Sequence, residues 1–195
     1  MSRLNWNVGS SWRPAVVAAL ATLVLGGCGG DEPETDEAGS STANATDIAF
    51  AQGMIPHHQQ AVQMSDLVLG ASPGAVDQEV MALAEQIKQA QAPEIALMQG
   101  WLDDWGAPAD MEGMEGMEGM DGMLSTEQLG ELEAAGGAKL ERLFLTGMID
   151  HHEGAVTMAQ TELDEGSDPD ALELAEDIVQ TQQDEITQME TLLDR

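Results

Sequence analysis

All four histidines of this chain stand in two adjacent pairs, His57-His58 and His151-His152. Each pair has methionines at helical spacing. Met54 and His58 are four residues apart, as are Met148 and His152, so a helix sets each couple on one face. On a wheel of about 100° per residue, Phe50, Met54, His57, His58, Ala61 and Met64 crowd an arc of about 120°. The apolar members predict that this arc faces inward, and it recurs around Met148, His151, His152 and Met158. Imidazole nitrogen beside thioether sulfur favours copper(I), and silver(I) by the same softness, while thioethers are poor ligands for magnesium or calcium. Neighbouring imidazoles point about 100° apart, so a chelate needs the second pair or methionines from the same face. Thioethers carry no proton, so binding is expected to weaken only as the histidines protonate, toward pH ~6.5. The plain alternative for a methionine at core spacing is packing, and Met81 is read that way.

Two further groups could take part. Residues 111–123 repeat a Met-acid-Gly unit, with Met111, Met114, Met117, Met120 and Met123 at every third place. Glycine resists helix formation, so segment 110–124 reads as a loop that could fold several thioethers onto one copper(I). A low-complexity expansion is the alternative, although exposed methionines outside the cytoplasm invite oxidation. Glu94 and Glu185 lie at matching places on later helices. Either could accept the second ring N–H of a ligand histidine and fix its tautomer. Either could equally be a solvated face.

The elements that must position these residues form a repeat. Phe50 to Met64 matches Phe144 to Met158 at nine of fifteen positions with a constant offset of 94. Each copy then reaches a Gly-x-(Ser/Asp)-Pro turn, at Gly70-Ser72-Pro73 and at Gly166-Asp168-Pro169. Such a turn ends one helix, caps the next and places Pro at its first position. Apolar residues at three-four spacing follow in both copies, with Gln91, Glu94 and Met98 echoed by Gln182, Glu185 and Met189. Strand signals are lacking. One amphipathic hairpin cannot hide its apolar stripe alone, and two can face each other, which predicts an all-α four-helix bundle over 46–195. Ser125-Thr-Glu-Gln128 is a capping box for a short extra helix, broken at Gly136-Gly137. Pro56 and Pro93 predict kinks or nearby helix starts. Trp101 and Trp105 are expected to pack across the end of the bundle.

The first 27 residues read as a secretory signal. Arg3 and Arg13 precede a short apolar run, and Leu25-Gly26-Gly27-Cys28 resembles a bacterial lipobox in which Cys28 becomes the lipid-modified N-terminus. Ordinary cleavage leaving a free thiol is the alternative. With Cys28, the only cysteine, acylated, neither a disulfide nor a thiolate ligand is available and methionine becomes the only sulfur donor. Residues 29–45 are polar and aperiodic, which reads as a disordered tether. All 36 acids follow Cys28 against four bases, a net charge of −32 for the segment beyond it. Such a surface repels nucleic acid and attracts cations.

The doubled Gly-Met-Ile-x-His-His-x-x-Ala-Val-x-Met signature resembles domain-of-unknown-function family 305, over about Asp47 to Leu193. The resemblance implies a ferritin-like architecture and an association with copper binding and copper tolerance outside the cytoplasm. Carried over by position, Met54, His57, His58 and Met64, then Met148, His151, His152 and Met158, are the family-type residues. The expected function is a secreted, lipid-anchored protein, at the outer face of the cytoplasmic membrane or in the periplasm. It would sequester copper(I) or transfer it to a copper-handling partner. Two other classes stand beside it. A ferritin-like di-iron oxidase needs Glu-x-x-His on its helices, a pattern lacking upstream of these histidines. A metal-free envelope interaction module is the other. No nucleophile arrangement commits the chain to catalysis, and the zinc-protease motif fails after His152-Glu153.

Overall fold

The computed structural model describes residues 43–109 and 120–195. Cys28, the signal segment, residues 29–42 and Met111, Met114 and Met117 lie outside them. Five helices are present, α1 (Ala45–Leu69), α2 (Gln78–Trp105), α3 (Thr126–Glu133), α4 (Ala138–Glu165) and α5 (Pro169–Leu193), and there is no strand among the described residues. None of these helices is long and apolar enough to cross a membrane.

Most boundaries follow from capping chemistry. The Asn44 side chain accepts from the N–H groups of Thr46 and Asp47, and Asp47 returns a bond to the Asn44 N–H. Helix α1 thus begins at Ala45, the last residue of the expected tether. Ser125 and Gln128 form the expected capping box on α3. Asp168 caps α5, with Pro169 in its first turn.

The first hairpin turn differs from expectation. Ser72-Pro73 does not open α2. Gly74 follows at φ +78°, a left-handed conformation that stops a helix there, and the Ala75 N–H closes a turn onto the Ser72 carbonyl at 2.9 Å. Asp77 is the cap instead, accepting from the Glu79 N–H at 2.7 Å. Asp77 precedes Asp168 by 91 positions, so these two are the equivalent caps. The longer first turn accounts for the change of repeat offset from 94 to 91. Pro56 and Pro93 lie inside α1 and α2 and begin neither helix; each removes one backbone donor without ending its helix.

Cross-helix pairs give the topology. His58 meets Glu94 and Asp66 meets Lys88, so α1 and α2 are antiparallel. A Cβ built on Gly53 would meet Met158, and one on Gly147 would meet Met64, so α1 and α4 are antiparallel as well. Helices α2 and α4 therefore run the same way, joined by one long crossover that carries α3. That connectivity is the ferritin-like one. The all-α, ferritin-like bundle of two repeated hairpins is the fold.

The core has two apolar halves, each drawn from both repeats. One contains Met64, Leu83 and Ile87 with Phe144, Met148 and Met189. The other contains Phe50, Met54 and Met98 with Leu174 and Ile178. The two sets exchange under the repeat, as an approximate twofold axis across the bundle requires. Trp101 and Trp105 stack with ring centroids 5.8 Å apart beside the second half. Belonging to neither half are His57, His58, His151, His152, Gln91 and Gln182, all buried.

Candidate metal centre

His57 and His151 come from different repeats and meet with ring centroids 3.7 Å apart, tilted by 42°. Both are fully buried. Their contact follows from the antiparallel packing of α1 on α4, which brings one imidazole from each copy to the twofold. Neither ring has a protein partner in hydrogen-bond geometry at Nδ1 or Nε2. Buried polar nitrogens without partners cost about 1–3 kcal/mol each, so a fold that keeps four of them together holds lone pairs in reserve.

The other member of each pair is tied to a carboxylate. His58 Nε2 lies 2.6 Å from Glu94 Oε2, and His152 Nε2 lies 2.8 Å from Glu185 Oε2. A carboxylate only accepts, so in the neutral ring Nε2–H is the donor and Nδ1 keeps the lone pair. Both Nδ1 atoms are buried and unpartnered. The two pairs are unequal. The Glu94 side chain is 24% exposed and that of Glu185 only 3%, and Glu185 also accepts from Gln86 Nε2 at 3.0 Å. The residue equivalent to Gln86 is Asp177, which has no amide to offer Glu94.

Burial explains the electrostatics of the central rings. Desolvation lowers His57 to about 3, helped by the charge of His58 and opposed by the nearby Asp121 carbonyl. His151 is pushed well below 6.5 by desolvation and then by His57, His152 and His58. Both rings are therefore neutral, the form that binds a metal, far below the pH ~6.5 expected of an ordinary histidine.

Sulfur surrounds this layer. Met54 is buried in one apolar half, and Met64 and Met148 in the other. Met158 is half-buried, with its Sδ 3.6 Å from the position a Cβ on Gly53 would take; Met120 Cε is 3.4 Å from the same point. Met123 is half-buried at the end of the loop. Met98 and Met189, one turn after Glu94 and Glu185, are fully buried. Gln91 and Gln182 are buried too, with unpartnered amide atoms. Sequence reasoning placed these four on the Glu94 and Glu185 stripes without assigning them a part, although their matched offset was the signal. Among the described residues no group of three or more His, Cys, Asp or Glu stands in ligating arrangement. The donors that flank the central imidazoles are thioethers and the Gln91 and Gln182 amides.

The end of the methionine loop lies across the layer. Gln60 grips it twice, Nε2 donating to the Leu124 carbonyl at 2.9 Å and Oε1 accepting from the Leu124 N–H at 2.7 Å. Gln60 is the repeat equivalent of Gly154, and a Cβ on Gly154 would overlap the Asp121 carbonyl. Gly122, at φ +82°, passes so close to the Asp150 carbonyl that a side chain would collide there.

Comparison with known proteins gives the family and the fold. The profile of the family described as Domain of unknown function (DUF305) matches residues 47–193. A DUF305 protein from Streptomyces coelicolor, described as secreted, is 36% identical, with TM-score 0.70, over 76% of this chain and 91% of that one. CopM in its copper(I)-bound form is 30% identical, with TM-score 0.63, over 77% of this chain and 97% of its own. CopM has also been solved with copper(II) and with silver. Among curated sequences, the uncharacterized protein L153 of Acanthamoeba polyphaga mimivirus is 41% identical over 54 residues, 28% of this chain. The chain spans 36% of that protein's length.

Proposed function

This chain belongs to the DUF305 family, and from that premise we propose that it is an extracytoplasmic protein that binds copper(I), and silver(I) by the same chemistry, to sequester it or hand it on. The ligands are His57, His58, His151 and His152 with Met54, Met64, Met148 and Met158. Glu94 and Glu185 hold the tautomers of His58 and His152, and Met111, Met114, Met117, Met120 and Met123 collect ions from outside. Cys28 carries the lipid that anchors the chain to the membrane. One observation supports this reading above the rest: six unpartnered imidazole nitrogens are buried between two methionine-bearing cores. CopM, a neighbour across most of both chains, was solved with copper(I) and with silver bound.

The role of the residues is binding and not redox turnover. Two neutral imidazoles and thioether sulfur suit a monovalent soft cation without loss of any proton from sulfur. The strongly negative surface concentrates cations before they reach a ligand. Copper-edge X-ray absorption on the loaded protein tests the assignment: a mixed nitrogen and sulfur shell is expected. Titration against a competing chelator should show a variant with all four histidines changed to Ala, and still helical, binding far more weakly. Equal affinity would end the proposal for the bundle.

A further inference from the structure

The four imidazoles are fully buried, so an ion bound by them must have a way in. We propose that metal enters past Met120 and Met158 when the strap of residues 120–124, latched by Gln60, lifts from the layer. This route rests on the reading that the imidazoles bind a soft metal.

The repeat itself points to the route. An undecorated twofold bundle would offer equal access at Gly53 and at Gly147. The strap breaks that equality. At Gly53 it places Met120 beside Met158, two thioether side chains meeting over one bare backbone position. At Gly147 it places Leu124 against the same kind of position, where Met64 also packs. Met64 is fully buried, whereas Met120 and Met158 are only half-buried. One edge of the layer thus presents partly accessible sulfur, and the other is plugged by leucine.

The strap also covers the rings. The Asp121 carbonyl lies close to His57, and Gly122 passes over the backbone of Asp150 and the Cα of His151. Its side-chain anchorage is the pair of hydrogen bonds between the Gln60 amide and the Leu124 backbone. At the equivalent place in α4 the repeat carries Gly154, which lets the strap backbone through. Latch and clearance occupy the two copies of one position, and neither residue is a metal ligand.

The test reads the route with and without metal. Gln60→Ala removes both bonds, and Gly154→Ala displaces the strap independently. Diethylpyrocarbonate labelling of the metal-free protein, mapped by mass spectrometry, should rise about tenfold at His57 and His151 in either variant, the scale set by one or two hydrogen bonds. Silver(I) uptake, followed as protection of the same rings, should accelerate by a similar factor, and Met120→Leu should slow it. Unchanged labelling in both variants, each still helical, would overturn the strap as the gate. Increased labelling with no protection by silver(I) would overturn the metal reading and the route with it. Met120→Leu taking up silver(I) at the parent rate would overturn entry past that methionine.

Discussion

His57 and His151 face each other 3.7 Å apart, and no ring nitrogen of either is in hydrogen-bond geometry with a protein group. A pair of buried, unsatisfied imidazoles at the centre of a bundle weakens the metal-free fold, and only a ligand relieves it. His57→Leu should therefore separate stability from function. Without metal, chemical denaturation should show a gain of about 1–3 kcal/mol, and chelator competition should show high-affinity copper(I) binding lost.

The pH response follows from the same burial. His57 titrates near 3 and His151 well below its ordinary value. In the unfolded chain both rings bind protons below about 6.5, while the native rings do not. Stability of the metal-free protein should fall as pH drops from about 6.5 toward 3, by about 1.4 kcal/mol per unit for each ring. The part of copper(I) affinity that His57→Ala and His151→Ala remove should stay nearly flat between pH 7 and 5, where ordinary histidines would lose it. Chelator competition at successive pH values distinguishes the two.

The two His–Glu pairs should respond unequally. Glu185→Ala strips His152 of a partner that water cannot easily replace, and copper(I) affinity should fall about 10–100-fold. Glu94→Ala opens a place that is already partly wet, so its loss should be several-fold smaller. Equal losses in a competition assay would contradict the asymmetry of burial.

A different carboxyl pair adds a response of opposite sign. Asp47 accepts from the N–H groups of Ser167 and Asp168 at 2.9 Å and from Ser167 Oγ at 3.0 Å, tying α1 to the last turn. Burial alone would raise Asp47, but the neighbouring Glu162 carboxyl and these backbone N–H groups hold it below the carboxylate range. Glu162 is pushed up to about 8, first by burial, then by the neighbouring Asp47 carboxylate and the charge of Asp168. The native state thus keeps a proton that the unfolded chain releases above about 4.5. Between those values stability should fall with rising pH, by up to about 1 kcal/mol per unit. Glu162→Gln should flatten that slope in thermal melts.

Capping gives a sharper test of the first hairpin. Asp77→Ala should cost about 1 kcal/mol by denaturant titration, whereas Ser72→Ala should cost close to nothing.

Much of this was legible beforehand because it depends on local chemistry. The helices, the repeat and the inward arc carrying His57, His58 and Met54 follow from period and spacing. Glu94 and Glu185, singled out by their matching register, stand beside His58 and His152. What escaped depends on contacts between distant segments. Aligning Ser72 with Asp168 looked natural until Gly74 took a left-handed conformation and Asp77 became the cap. Gln60 and Gly154 carry no signal in the sequence; the strap lying over them shows why one carries an amide and the other no side chain. The Asp47–Glu162 pair spans 115 positions, and nothing in either neighbourhood announces it.

Each apolar half needs side chains from both repeats: Phe50 and Met54 have no interior without Leu174 and Ile178, nor Phe144 and Met148 without Leu83 and Ile87. A lone hairpin would consequently associate with a second copy of itself, and the meeting place of His57 and His151 would fall on the symmetry axis of that dimer. Fusing the two halves into one polypeptide makes assembly independent of concentration.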